Sequence, residues 1–454
     1  MPRQYAPHSP PVALTIAGSD SGGGAGIQAD LKTMEAHDVF GTSVITATTA
    51  QNTQGVHDVT VLSTDHIAAQ YEAVVADFDV GAIKTGMLAT ADGIETVVDC
   101  VADFAGPIVV DPVMVAATGD RLLSEDAEAA YEELLGYATL VTPNVDEAEI
   151  LTGRKISNTA DAEAAGRQLL ELGVEAALVK GGHLDTDQVF DTLVVATDGE
   201  PRIERFSHPR VDAAGTHGSG CTLSSAIAAR LAAGDQLTEA VAEGVAFMEQ
   251  AVRYGIDTGE GPGAVHHLVD IRERADQPAV SDAVESVVAR LVDRNVETLV
   301  PAVGMAVVGA SRFAERPDDV VGVDGRLTTT RSGIRPTAGV RAGGSPALAR
   351  ELLSVRERFP DLRFALNCRF DESVATALET LAGPVVESSG PDRESVDSLS
   401  HTLPVVAVDE AMEPPAAVID RGGEGRPAGV VVLAPDAETL LDRTLRLHDA
   451  LITE

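Results

Sequence analysis

The chain of 454 residues contains no tryptophan, 3% aromatic residues, three cysteines and only four lysines, Lys32, Lys84, Lys155 and Lys180. With aromatics this scarce, the cores must be aliphatic, and a hydrophobic content of 44% is enough to build them. Cys100, Cys221 and Cys368 stand far apart and match no metal-ligand spacing. That excludes a zinc ribbon and a disulfide framework and points to a reducing compartment. No apolar run of roughly 18 or more residues is present, and Met1–Pro11 is polar and proline-bearing, unlike a secretory signal. The expectation is a soluble, cytoplasmic protein that engages no membrane. Basic side chains are also few, 33 against 71 acidic, for a net charge of −38 spread along the chain. This excludes nucleic-acid binding through a basic face. It suits a halophilic surface, hydrated in molar salt where the Debye length is about 3 Å and self-repulsion is screened. The length predicts two or three domains.

The rest of the chain is organised around Ala214-Gly215-Thr216-His217-Gly218-Ser219-Gly220-Cys221-Thr222-Leu223. A helical pattern follows, with Leu223, Ile227 and Leu231 at spacing four and Gly234 as the C′ residue. A glycine-rich turn opening a helix presents unpaired N–H groups and the positive end of the helix dipole, which suits phosphate. Cys221 falls in the first turn, where the dipole favours the thiolate and lowers the thiol below its usual pKa of about 8.5. The plainer reading is a glycine loop before a core helix, with Cys221 a small buried residue.

Upstream, Val12–Ala17 reads as a buried strand running into the glycine loop Gly18–Gly26, then a helix with Ile27, Leu31 and Met34 on one face. A dinucleotide fold wants an acidic residue about 20 positions on. The next strand, Ser43–Thr48, is followed instead by Ala50–Gly55, which holds no carboxylate, and no Walker A pattern occurs. Strands and helices then alternate. Val80–Lys84 leads to Thr85-Gly86-Met87-Leu88, Ile108–Val110 to Asp111-Pro112-Val113, Thr139–Val141 to Thr142-Pro143-Asn144, and Ala177–Val179 to Lys180-Gly181-Gly182. Each strand carries polar or glycine residues at its C-terminal end, the edge where open α/β sheets bind ligands. Singly, Asn144 reads as an N-cap and Lys84 or Lys180 as a solvated lysine.

Taken together, Leu14–Asp20, Gly26–Thr33, Ile45–Ala47, Ala50–Thr53, Lys84–Met87, Lys180–His183 and Thr216–Thr222 resemble the hydroxymethylpyrimidine/phosphomethylpyrimidine kinases of thiamine biosynthesis. The resemblance runs from about Val12 to His267. It implies a ribokinase-like, doubly wound α/β domain over residues 1–270. It also implies that ATP and Mg²⁺ phosphorylate 4-amino-5-hydroxymethyl-2-methylpyrimidine, and then its monophosphate to the pyrophosphate. In that reading Gly215, Thr216, Gly218, Ser219 and Gly220 form the anion hole, and Lys180 is a further phosphate contact. Cys221 stands where the wider superfamily has an aspartate and serves as proton acceptor. Asn144-Val145-Asp146-Glu147 matches the superfamily Asn-x-x-Glu pattern, placing Glu147 near Mg²⁺ with Asp111 as second candidate. Gln51 pairs with an aminopyrimidine through its amide, and Gly18, Asp30, Met87 and Val113 complete the substrate pocket. Pyridoxal kinase, related in shape and substrate size, is the nearest alternative within the fold.

Beyond His267, the polar stretch Arg272–Pro278 reads as a linker, placed at residues 271–281. Asp282 and Glu285 suit a capping box, opening a helix with Val284, Val287, Val288, Leu291 and Val292 on one face. Helical patterns at Leu348/Leu352/Val355/Phe359 and Ala437–Leu451, interleaved with β-branched runs at Val405–Val408 and Gly429–Leu433, predict a second, smaller α/β domain over 282–454. Thr298–Gly304, Asp318–Arg326, Arg363–Phe370 and Ile419–Gly425 resemble the archaeal-type thiamine-phosphate synthase domain. That resemblance implies joining of the pyrimidine pyrophosphate to thiazole phosphate, with Arg326 as a catalytic residue. Two departures stand out. Met305-Ala306 replaces a Ser-Asn pair, and Ala347 occupies the place of a catalytic histidine. The alternative is a ligand-binding module that senses thiamine phosphate, with Arg326, Arg341, Asn367 and Arg421 holding phosphate. All implied partners are small molecules. The oligomeric state is open, a homo-oligomer among the options.

Overall fold

The computed structural model describes residues 4–114, 127–182, 188–211, 213, 215–388, 411–423 and 427–453. The chain divides into two compact units, Met1–Val269 and Asp270–Glu454. Among the described residues no helix is long and apolar enough to cross a membrane.

The first unit contains β1 (Val12–Asp20), α1 (Gly26–Ala36), β2 (Phe40–Asn52), β3 (Gly55–Val61), α2 (Thr64–Val75), β4 (Val80–Thr85), α3 (Ala91–Val101), β5 (Ile108–Val110), α4 (Ala127–Leu135) and β6 (Leu140–Val141). There follow α5 (Val145–Thr152), α6 (Thr159–Leu170), β7 (Ala176–Val179), β8 (Gln188–Val195), β9 (Arg202–Pro209), α7 (Ser219–Ala232) and α8 (Leu237–Arg253). Among the described residues the strands form one sheet in the order β3-β2-β1-β4-β5-β6-β7-β8-β9. Strands β2, β1, β4, β5, β6 and β7 run parallel, and β3, β8 and β9 close the edges antiparallel. The chain leaves β1 toward β2 on one side and returns to β4 on the other. The C-terminal ends of β1 and β4 therefore flank a topological switch point, where such sheets bind ligands.

Both faces of the central strands are buried, and the two-residue period of a strand sorts the side chains. Ile83, Ile108, Val110, Val141 and Val179 pack beneath a layer made by α2 to α6. Their neighbours Ala82, Val109, Leu140, Ala176 and Leu178 face α7 and α8. This second face carries two alanines, and α7 meets it with Ala226, Ala228 and Ala229, all fully buried. Small side chains on both sides let α7 lie close on the strands. The Leu223/Ile227/Leu231 stripe is the buried one, and the helix stops at Gly234 in the left-handed region at φ +96°. The expected strand Ser43–Thr48 is longer, because the hairpin with β3 carries pairing out to Asn52 opposite Gly55. Gln51 thus lies on a strand end rather than in a loop.

The second unit opens on α9 (Val269–Asp293), followed by β10 (Val307–Gly309), β11 (Val321–Val323), β12 (Leu327–Thr330), β13 (Gly333–Pro336), β14 (Val340–Ala342) and α10 (Pro346–Arg356). Then come β15 (Phe364–Arg369), α11 (Glu372–Leu378), β16 (Val385–Ser388), β17 (Ala417–Asp420), β18 (Gly429–Ala434) and α12 (Ala437–Thr453). The main sheet has the order β14-β11-β10-β15-β18-β17-β16, parallel only between β16 and β17, with β12 and β13 a separate pair. Helices α9, α11 and α12 cover one face and α10 the other.

One expectation fails here. Residues 271–281 are not a linker but the first turns of α9, so Asp282 and Glu285 open nothing. The buried face of α9 begins with polar anchors. Glu273, 8% exposed, takes hydrogen bonds from Ser311 and Gln277, and the stripe continues through Val280, Val284, Val287 and Leu291. Pro278 sits on the exposed side, where losing one N–H is least costly. The run Val405–Val408 lies outside the described residues.

Candidate active site

A cavity of about 740 Å³ opens at the C-terminal edge of the first sheet, beside the switch point. That is the size range of small-ligand pockets. Gly18, Gln51, Met87 and Val113 line it, as do Asp111, Glu147, Lys180, Thr216, Gly218, Ser219, Gly220 and Cys221. Two expected members do not. Gly215 is buried against the backbone of Gly263. Asp30 has no exposed surface at all.

The turn ahead of α7 is shaped by two glycines. Gly218, at φ +81°, is the N-cap residue, and a β-carbon there would collide with the carbonyl oxygen of Gly24. Gly220, in the first turn, leaves room in front of Lys180 and Asp111: a β-carbon would stand 3.3 Å from Lys180 Nζ and 3.5 Å from Asp111 Oδ2. The first N–H groups of a helix have no intrahelical acceptor. The Ser219 N–H turns back to Thr216 O at 3.2 Å, and from Gly220 on the turn borders a gap beside the Lys180 ammonium and the Asp111 carboxylate, a setting that suits a phosphate.

Lys180 Nζ donates to Asp111 Oδ1 at 3.3 Å. Burial works to lower the Lys180 pKa, but the Asp111 and Glu147 carboxylates outweigh it and hold the amine above its ordinary value. Glu147 and Asn144 form a reciprocal capping box on α5, each side chain accepting the other's backbone N–H at 2.8 Å. The N-cap reading of Asn144 is therefore correct, and the same box orients Glu147. Burial pushes the Glu147 carboxyl up to about 7; Lys180 opposes this and the Asp111 carboxylate adds to it. Two carboxylates so placed are short of positive charge. They fit Mg²⁺, which takes one or two protein carboxylates and fills its shell with phosphate oxygens and water.

Cys221 occupies the first turn of α7 as expected, but its thiol does not follow the dipole. Burial pushes it up to about 11; Lys84 pulls it down, while Asp30 and Asp111 push it further up. Asp30 is a buried structural ion. It accepts from Thr15 Oγ1 at 2.6 Å, from Ser225 Oγ at 2.6 Å, and from Lys84 Nζ at 2.9 Å on both oxygens. This ties β1, β4, α1 and α7 together beneath the cavity floor. Lys84, also unexposed, is no surface lysine.

Two cavity residues lie beyond the sequence reading. Asp20, at the end of β1, accepts the N–H groups of Gly22, Gly24 and Ala25 at 2.8, 2.9 and 2.8 Å. Burial raises its carboxyl, but hydrogen bonds from His217, Ala25 and Gly22 outweigh that and leave it below the usual range. His217 Nε2 lies 3.3 Å from Asp20 Oδ2 and 3.3 Å from Gln51 Nε2. The signal for Asp20 was present, since an acid just ahead of a glycine run caps the following N–H groups. Nothing in the sequence ties His217 to it, 197 positions away.

In the second unit Arg326 stands between β11 and β12, its N–H donating to Thr337 Oγ1 at 2.9 Å. Arg341 pairs with Asp324 at 3.1 Å, and Arg421 with Glu387. Both are exposed ion pairs, screened by solvent and weak as stabilising contacts. The Asn367 side chain accepts the Ala306 N–H at 2.5 Å, a bracing role within the sheet. Ala347 lies in the first turn of α10.

Against known families, residues 20–266 match phosphomethylpyrimidine kinase and residues 283–446 match thiamine-phosphate synthase ThiN. A hydroxymethylpyrimidine/phosphomethylpyrimidine kinase from Rhizobium meliloti is 47% identical over 57% of the chain and 97% of the relative. The thiamine biosynthesis bifunctional protein ThiED of Geobacter sulfurreducens is 44% identical over 58% of the chain and 54% of that protein. Among solved structures, Staphylococcus aureus pyridoxal kinase with AMP-PCP and pyridoxal matches at a TM-score of 0.53 and 34% identity, over 57% of this chain and 94% of the other.

Proposed function

The chain belongs to the phosphomethylpyrimidine kinase family, and on that premise we propose that its first unit phosphorylates 4-amino-5-hydroxymethyl-2-methylpyrimidine and then its monophosphate, using ATP with Mg²⁺. The carrying observation is one cavity with an amide-and-apolar end, Gln51, Met87 and Val113, and an anion-binding end at Gly218–Cys221. Gln51 offers an amide to the aminopyrimidine, and Met87 and Val113 give the ring apolar contact. The α7 turn from Gly220 on and the Lys180 ammonium would meet the phosphate whose charge grows during transfer. Asp111 and Glu147 would hold Mg²⁺, which supplies neutralising charge to the phosphates.

Cys221 is the residue we assign to the substrate hydroxyl. It rests as a thiol, so it acts as proton acceptor only once the charge around it changes. Burial is the largest cause of that state, and neutralising Asp111 removes one of the two carboxylates that add to it. Pyridoxal is the second substrate to test, because pyridoxal kinases share this fold at 34% identity.

For the second unit, the match to thiamine-phosphate synthase supports condensation of the pyrimidine pyrophosphate with thiazole phosphate, Arg326 stabilising the departing pyrophosphate. Ala347 and the exposed pairing of Arg341 and Arg421 favour a second reading, a thiamine-phosphate sensor without turnover. Full-length protein in high salt, given the hydroxymethylpyrimidine, MgATP and thiazole phosphate together, separates these by product mass. Thiamine phosphate establishes both activities. Pyrimidine pyrophosphate alone, with saturable thiamine phosphate binding, establishes kinase plus sensor. Absence of any pyrimidine phosphate overturns the kinase.

A further inference from the structure

The glycine loop after β1 has the form of a phosphate cradle, yet it is already filled from within. The N–H groups of Gly22, Gly24 and Ala25 converge on one point, as in backbone nests that bind anions. The anion they hold is the Asp20 carboxylate, 3% exposed and within 2.9 Å of all three. Its Oδ2 also meets His217 Nε2 at 3.3 Å. His217 directly precedes Gly218, the N-cap of α7. Ala25, Gly26 and Gly218 all line the cavity, and a β-carbon on Gly218 would stand 3.3 Å from the Ala25 α-carbon, so the loop and the α7 turn lie side by side.

We infer that Asp20 is a positioning residue, a built-in anion that locks the Gly22–Ala25 loop and, through His217, sets its distance from the phosphate turn. Because the nest is occupied, phosphate is left only the α7 turn. Alcohol and phosphate are thereby held in register without Asp20 touching either reacting atom.

The inference rests on the kinase reading for its kinetic test, and a second readout is independent of substrate. In full-length protein, Asp20→Ala empties the nest. The kcat/KM for the hydroxymethylpyrimidine falls by roughly tenfold or more, since several charge-assisted hydrogen bonds are lost together. Sodium formate restores several-fold of that rate and raises the Tm of the variant, whereas sodium chloride of equal ionic strength does neither, and wild type gains nothing from formate. Asp20→Asn, which fills the space but sets an amide against the N–H donors, loses activity that formate does not restore. An Asp20→Ala rate within twofold of wild type overturns the inference. So does a loss that formate leaves unchanged in both rate and Tm, which would mark Asp20 as a mere fold brace. Should Asp20→Ala not fold, Asp20→Asn decides: parity with wild type overturns the inference, while a tenfold loss with the KM for ATP unchanged upholds it. If wild type ignores the pyrimidine, the kinase reading falls, and the formate-dependent Tm still judges Asp20.

Discussion

Replacing Gly220 by alanine is expected to make the protein more stable and nearly inactive. Gly220 lies inside α7, and its φ is not in the left-handed region, so alanine fits the backbone. A glycine-to-alanine change gains about 0.5–1 kcal/mol in a helix interior and less in the first turn, where Gly220 stands. The closest obstacle is the Lys180 ammonium at 3.3 Å, the movable end of a long side chain. The net effect is a gain of up to about 1 kcal/mol, or a Tm rise of roughly 2–4 °C at most. The new methyl group, however, occupies the gap between the first N–H groups of α7, Lys180 and Asp111. Loss of a single preorganised anion contact typically costs about 10²–10³-fold in kcat. Calorimetry and a coupled assay for ADP release, both in high salt, read the two effects on one preparation. A Gly220→Ala protein with kcat within threefold of wild type would show that phosphate sits elsewhere.

Lys84→Met leaves the Asp30 carboxylate unexposed and without its cation, so denaturant melts should show a loss of about 3–5 kcal/mol. Lys84→Met combined with Asp30→Asn should recover part of that loss, and no recovery would refute the pairing argument. Burial, with the Lys32 charge, depresses His267 to about 4, while an unfolded histidine protonates at about 6.5. The fold's advantage is therefore full above about pH 6.5 and is lost as pH falls toward 4, by about 3 kcal/mol at most. His267→Gln should flatten that limb in melts at neutral and acidic pH, and an unchanged limb would assign it to other groups. With a net charge of −38, the Tm should climb steadily from low to molar potassium chloride. A flat response rules out the halophilic reading of the surface.

The alternation of strands and helices in the first unit could be read from the chain because buried parallel strands appear as short apolar runs ending in glycine or polar residues. The same pattern picked out the α7 turn, since helix starts rich in glycine have few other uses. Charge states were not readable. The first-turn position of Cys221 argued for a thiolate, but burial and two carboxylates brought in from β5 and α1 reverse the sign. Asp30 looked like a pocket residue by motif, and only the packing of Lys84, Thr15 and Ser225 around it shows a structural ion. Polar stretches misled for a related reason. The start of α9 buries Glu273, with half-buried Gln277 donating to it, and a hydrophobic pattern registers neither.

That helix also decides where the chain can be divided. A cut at residue 281 or 282, the boundary suggested by composition, severs α9 in mid-course. The downstream fragment would lose Glu273 and leave Ser311, 2% exposed, without its acceptor. It would also lose Val280 from its core. The upstream fragment would carry the detached, mostly polar turns as a tail with nothing to pack on. A cut after Val269, at the boundary between the two units, leaves that buried residue upstream and keeps Glu273 and Val280 with the downstream core. Failure of a fragment starting at 282 would therefore report a misplaced scissor, not a dependence of one activity on the other.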